Sequence, residues 1–159
     1  MGERATGENL SVIESGSLAA ELLENACESA LEFGDSLQLE VVRDLAADLK
    51  SSLEAMSLPD YRDVPAPELL VEAALHCADL ANLAVCNVPY LPKDHRPQAI
   101  AAVHLAAGVT RALGALAGEA SGSETPHADN ILRDTRSAEW RVDLAVRQAE
   151  ELVEPGKSG

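Results

Sequence analysis

Three side chains in one stretch of the sequence have the types and spacing that can bind a metal ion or move a proton. Glu72, His76 and Asp79 stand at i, i+4 and i+7, so a helix would project them within about 60° of one another. Ferritin-like di-iron bundles use a shorter Glu-x-x-His spacing on two helices, and no second segment repeats the motif here. The same spacing is typical of the solvent face of an apolar helix. We expect that arrangement, with no metal or other cofactor bound.

A second polar pair interrupts the most apolar stretch of the chain, residues 99–117. His104 and Arg111 are seven residues apart, hence on one face of a helix, and Gly108 lies between them. An arginine beside small residues can bind a carboxylate or a phosphate. We therefore predict that a small anionic ligand would bind His104 and Arg111, in a pocket between the third and fourth helices. Alternatively, the two residues lie on the solvent-exposed edge of an otherwise buried helix, or they form an ion pair with an acidic neighbour.

The last helical segment concentrates basic residues in an otherwise acidic chain. Residues 128–153 hold four of the twelve lysines and arginines, namely Arg133, Arg136, Arg141 and Arg147. Alternation with acidic residues is typical of a solvated, salt-bridged helix face. The other interpretation is a docking face for an acidic partner, such as the acidic first half of another copy.

Composition excludes several classes of function. The net charge of −15 argues against binding to nucleic acid or to an anionic membrane surface. The sequence contains no Walker A loop, dinucleotide fingerprint, HExxH, CxxC or Gly-x-Ser-x-Gly motif. Three cysteines and no signal-peptide pattern favour reduced thiols in the cytoplasm. Residues 99–117 are long enough to span a membrane, but their alanines and Arg111 indicate a core helix instead.

Aromatic residues are only 3% of the chain, so the core must consist of Leu, Val and Ala, a composition typical of helices. Asp35 and Gln38 predict a capping box for the second helix. Apolar stripes with helical spacing predict five helices, at residues 17–33, 36–56, 67–88, 97–118 and 128–153. Stripe residues include Leu18 and Phe33 in the first helix and Val42, Leu45, Leu49, Leu53 and Met56 in the second. The stripe of the fifth helix is Ile131, Thr135, Ala138, Val142, Ala145, Ala149 and Leu152.

The fold class we predict is all-α, an antiparallel up-and-down bundle of four to five helices with the fourth at its centre. Residues 17–153 would form this single domain. The polar residues 1–16 and 154–159 would be flexible tails.

Residues 66–153 are similar in the order of their segments to the C-terminal half of the formimidoyltetrahydrofolate cyclodeaminase family. An Ala/Leu helix, a break rich in Pro and Asn, an Ala-rich helix and a charged final helix follow one another. The resemblance implies a dimeric helical bundle that binds folate. The Gly-rich N-terminal segment of that family and its Asn-rich stretch are not found here.

Two functions follow from these patterns. The first is a non-enzymatic protein-interaction or assembly module that acts as a homodimer or binds another protein. The alternative is a bundle that binds or converts a small anionic molecule.

Overall fold

The computed structural model describes residues 6–58, 64–122 and 127–153, and these residues form a helical bundle. Two short 3-10 helices, Val88–Tyr90 and Lys93–His95, connect the third and fourth α-helices. The described residues include no β-strand, and the predicted all-α fold is confirmed. The five α-helices are α1 (Gly7–Leu31), α2 (Leu37–Met56), α3 (Ala66–Asn87), α4 (Arg96–Ala120) and α5 (Ala128–Val153).

The first helix begins ten residues before the predicted start at Ser17. Thr6 is its N-cap, and the Thr6 hydroxyl accepts a hydrogen bond from the backbone N–H of Asn9 at 3.3 Å. The prediction of a flexible tail was therefore wrong for residues 7–16. Residues 1–5 and 154–159, the rest of the predicted tails, lie outside the described residues.

Burial explains why this polar segment is helical. Leu10 and Ile13 are buried against the bundle, although glycines and serines surround them in the sequence. The hydroxyls of Ser11 and Ser15 donate to carbonyls of their own helix, at 3.0 and 3.1 Å. Tertiary packing thus outweighs the weak helix propensity of these residues.

The second helix is capped by a different residue from the one predicted. The Ser36 hydroxyl, not the Asp35 carboxylate, accepts a hydrogen bond from the backbone N–H of Leu39 at 3.2 Å. Gln38 donates instead to Asn87 Oδ1 at 2.7 Å. The predicted capping box is therefore wrong, and Gln38 joins the start of α2 to the end of α3.

The helices form a ring of four with a fifth on the outside. α1 packs against α2 and α4, α3 packs against α4, and α5 covers both α3 and α4. Ser57 bonds to Leu10 at 3.4 Å and Lys50 pairs with Glu21 at 3.6 Å, contacts consistent with an antiparallel α1 and α2. The contact between α2 and α3 is much the smallest around the ring.

α3 and α4 make the most extensive contact in the bundle, and both also pack against α1 and α5. Of the two, α3 packs more extensively against α2, whereas α4 exposes His104, Gly108 and Arg111 on one side. Small residues allow close approach at the centre, where a Cβ atom on Gly16 would lie 2.7 Å from Cys77 Sγ and 3.3 Å from Leu53 Cδ1. Gly16 therefore marks a close approach of α1 to α2 and α3.

Two described segments, Ala66–Tyr90 and Lys93–Ala120, are long and apolar enough to cross a membrane by length and composition. About half or more of the most apolar window of each lies buried inside the bundle, 61% and 50% respectively. The core helix of a soluble protein meets the same criteria, so these segments are weak evidence for a membrane location.

Candidate functional site

The structure gives Arg111 an anionic partner from within the protein. Arg111 Nη2 donates to Asp143 Oδ1 of α5 at 2.8 Å, and both side chains are about half exposed. His104 lies on the same exposed side of α4, and neither residue lines any of the four clefts that we identify. The arrangement fits the ion-pair alternative, and a ligand at His104 and Arg111 stays a prediction.

Glu72, His76 and Asp79 lie on the outer side of α3, as their spacing predicts. Asp79 accepts a hydrogen bond from Arg141 of α5, whereas Glu72 is exposed and His76 is half-buried. Across residues 6–58, 64–122 and 127–153, no three His, Cys, Asp or Glu side chains are grouped so that they could hold a metal ion. Asp79 instead fixes α5 against α3.

Large apolar side chains are exposed on both sides of α3. On α2, Leu37 is 76% exposed, and Val41 and Leu45 continue the same stripe at intervals of four residues. On α5, Trp140 is 67% exposed and Leu144 lies one turn further along. We call the surface formed by Leu37, Val41, Leu45, Trp140 and Leu144, together with the outer side of α3, the α2–α5 face.

A shallow cleft of about 290 Å³ lies between α2 and α3 on this face. It exists because α2 makes little contact with α3, so apolar side chains that would close the gap remain accessible. On the other side of α3, the Asp79–Arg141 ion pair brings α5 to the same surface. The lining of the cleft is Leu45, Asp48, Leu49, Ser52, Asp79 and Leu83.

The two edges of the α2–α5 face carry different charges. Around the stripe on α2 the exposed charged residues are acidic, namely Glu40, Asp44 and Asp48. Around Trp140 on α5, three exposed arginines stand at i−7, i−4 and i+7, namely Arg133, Arg136 and Arg147. Intramolecular pairs of Arg43 with Asp44 (3.2 Å) and Arg133 with Asp134 (3.4 Å) are exposed and weak, so the groups can pair elsewhere.

The buried cysteines of the bundle are not activated nucleophiles. Burial raises the pKa of Cys27 to about 11 and that of Cys77 to about 12. Both thiols are therefore protonated at neutral pH, and a thiol reacts as its thiolate. Cys86 is exposed, and all three cysteines are free.

One cleft contains functional groups that the sequence analysis did not single out. It lies between the end of α4 and the start of α5, and Ser121 and Thr135 are among the residues that line it. Neither hydroxyl oxygen has a hydrogen-bond partner. The helical spacing placed Thr135 on a buried stripe, but spacing carries no signal that a buried hydroxyl is unpaired.

Comparison with known proteins adds no assignment, because no family model, curated protein or solved structure matches the chain. The similarity of residues 66–153 to the cyclodeaminase family therefore stays an expectation. Function has to be argued from the geometry of the surface.

Proposed function

We propose that the protein is a non-enzymatic assembly module of the cytoplasm, and that it works as a homodimer through the α2–α5 face. The observation that carries this proposal is the exposure of five large apolar side chains on the two helices that flank α3, with Glu72 and Asp79 exposed on α3 between them. Exposed apolar surface surrounded by polar residues is typical of a protein-binding site. Free cysteines, two of them buried, support a reducing compartment.

A two-fold axis that runs parallel to α3, over its outer side, would make the face complementary to itself. Because α2 and α5 flank α3, rotation about such an axis sets α2 of one copy against α5 of the other, and the contact occurs twice. The stripe of Leu37, Val41 and Leu45 then meets Trp140 and Leu144. The acidic edge of α2 in each copy meets the arginine edge of α5 in the other copy.

Charge favours a second copy as the occupant of this face. Two chains of net charge −15 repel at long range, so association needs local pairing of opposite charges. The α2–α5 face provides such pairs reciprocally, because each copy brings one acidic and one arginine edge. Salt screens the long-range repulsion, with a Debye length of about 8 Å at physiological ionic strength.

The size of the face also matches a dimer interface. The 20 residues of α2 extend about 30 Å, and neighbouring helices lie about 8–10 Å apart. Three adjacent helices thus present a surface on the order of 700 Å². Stable interfaces bury about 800 Å² on each partner.

Replacing Val41 with aspartate is expected to make the protein monomeric. The change buries an unpaired carboxylate twice in each dimer, and we expect association to weaken by about 100-fold or more. Leu18→Asp is the matched control, because Leu18 is also an exposed apolar helix residue but lies on α1, outside the face. Sedimentation velocity at micromolar concentration checks the masses of all three proteins.

The wild type and Leu18→Asp should sediment as dimers of twice 16.7 kDa, and Val41→Asp as a monomer with unchanged helix content by circular dichroism. A monomeric wild type at about 100 µM, a concentration well above the dissociation constants of most specific complexes, would refute the proposal. So would a Val41→Asp variant that remains dimeric.

A further inference from the structure

A cleft of about 360 Å³ separates the end of α4 from the start of α5, a volume within the roughly 300–1,000 Å³ of small-molecule pockets. It lies on the side of α5 that contacts α4, whereas the α2–α5 face lies on the side next to α3. The cleft shares one side chain, Arg136, with the arginine edge of the α2–α5 face. Its lining includes Gly114, Gly118, Ser121, Thr135, Arg136 and Glu139.

Thr135, one of the residues that line the cleft, has a buried hydroxyl that the protein leaves unpaired. Thr135 is only 7% exposed, yet its Oγ1 has no hydrogen-bond partner, and the same is true of Ser121 Oγ. Thr110 shows the usual solution for a buried helical threonine, because its hydroxyl donates to the Ala106 carbonyl at 2.8 Å. An unpaired buried hydroxyl costs free energy, so a ligand that induced a small rotation of Thr135 and bonded to its enclosed Oγ1 would gain affinity from it.

Two glycines of α4 shape the cleft in different ways. A Cβ on Gly114 would lie 2.6 Å from Glu139 Oε1, so the absent side chain is what lets the Glu139 carboxylate sit against α4. A Cβ on Gly118 would meet nothing within 4 Å, so any side chain there would project into open space. The half-buried Glu139 carboxylate forms no ion pair within the described ranges.

We propose that this cleft binds a small zwitterion of the α-amino-acid class. The ammonium group of the ligand bonds to the Glu139 carboxylate, and Asp129 adds negative charge at the same cleft. Arg136, three residues before Glu139 and so on a neighbouring position of the helix surface, pairs with the ligand carboxylate. Thr135 and Ser121 complete the hydrogen bonds, and Ile131 and Leu132 contact the apolar part.

The test uses the full chain and four amino acids with different side chains: L-leucine, L-serine, L-lysine and L-glutamate. Isopentylamine and 4-methylpentanoate, which carry only the ammonium or only the carboxylate of leucine, are the matched half-ligands. Titration followed by amide NMR should give saturable shifts at Gly118 and Thr135 with at least one amino acid. If that amino acid is leucine, its affinity should exceed that of either half-ligand by about tenfold or more.

Two variants on one helix separate the cleft from the fold. Gly118→Leu fills the cleft and should abolish binding, whereas Gly108→Leu, at an equally open and exposed position of α4, should leave the dissociation constant unchanged. Glu139→Gln should weaken binding about tenfold. The proposal is overturned if none of the four amino acids binds saturably, or if Gly118→Leu binds as the wild type does. Equal affinity for a half-ligand and leucine would overturn it as well.

Discussion

Between pH 7 and pH 11 the free energy of unfolding is expected to fall by about 5 kcal/mol because of two buried thiols. In the folded protein, burial raises the pKa of Cys27 to about 11 and that of Cys77 to about 12, from an ordinary value of 9.0. Above pH 9 the unfolded chain therefore releases protons that the folded protein still holds. The stabilisation is complete below that pH and is lost as pH rises through the folded pKa values.

A loss of this size is comparable to the whole stability of many domains, which is about 5–15 kcal/mol. Urea unfolding at pH 7, 9, 10 and 11 measures it. The double variant Cys27→Ala/Cys77→Ala should lose this pH dependence, although the lost packing lowers its stability at neutral pH. Cys86→Ala, which changes an exposed thiol, should behave as the wild type. If the double variant and the wild type lose stability in parallel above pH 9, the buried thiols are not the cause.

Alanine at two helix glycines is expected to change stability in opposite directions. A Cβ on Gly16 would lie 2.7 Å from Cys77 Sγ, so Gly16→Ala forces helices apart and should cost about 1–3 kcal/mol. A Cβ on Gly108 meets nothing within 4 Å, so Gly108→Ala should stabilise the helix by about 0.5–1 kcal/mol.

Chemical denaturation of the two variants beside the wild type measures the difference. Helix propensity alone favours alanine at both positions, so a stabilising Gly16→Ala would show that α1 does not approach α3 closely at Gly16. The expected stability changes are judged by a shift of the unfolding midpoint. A larger urea m-value at an unchanged midpoint would not support them, because m reports the surface exposed on unfolding.

The helices could be predicted from the sequence wherever an apolar stripe is long and its caps are local. In α5, Ile131, Ala138, Val142, Ala145 and Ala149 are buried as their spacing indicates, whereas Leu152 at the end of the same stripe is 40% exposed. Prediction failed where tertiary contacts decide the outcome. Residues 7–16 have the composition of a polar tail, yet Leu10 and Ile13 are buried in the bundle and the segment is helical.

The candidate surfaces could be predicted only in part, because they depend on which helices touch. Leu45 has the spacing of a core residue, but it is 46% exposed because α2 makes little contact with α3. Leu18 and Phe33 likewise have the spacing of a core stripe in the predicted first helix, yet both are exposed, and Phe33 lies beyond the end of α1. Asp143 has a local partner by spacing in Arg147, whereas the structure pairs it with Arg111 of α4.

Exchange of charges between the two edges of the α2–α5 face tests the homodimer most directly. One variant carries Arg133→Glu and Arg147→Glu on α5, and the other carries Asp44→Lys and Asp48→Lys on α2. Each variant alone sets like charges against each other at both contacts, so each should be monomeric by sedimentation velocity. An equimolar mixture restores opposite charges at both contacts and should form a heterodimer.

The heterodimer carries the same total charge as the wild-type dimer, so a change in net repulsion cannot account for its formation. We predict two monomeric variants that combine into one species of about twice the monomer mass. A mixture that stays monomeric while the wild type is dimeric would contradict the pairing of α2 with α5. Two variants that each remain dimeric would contradict it equally.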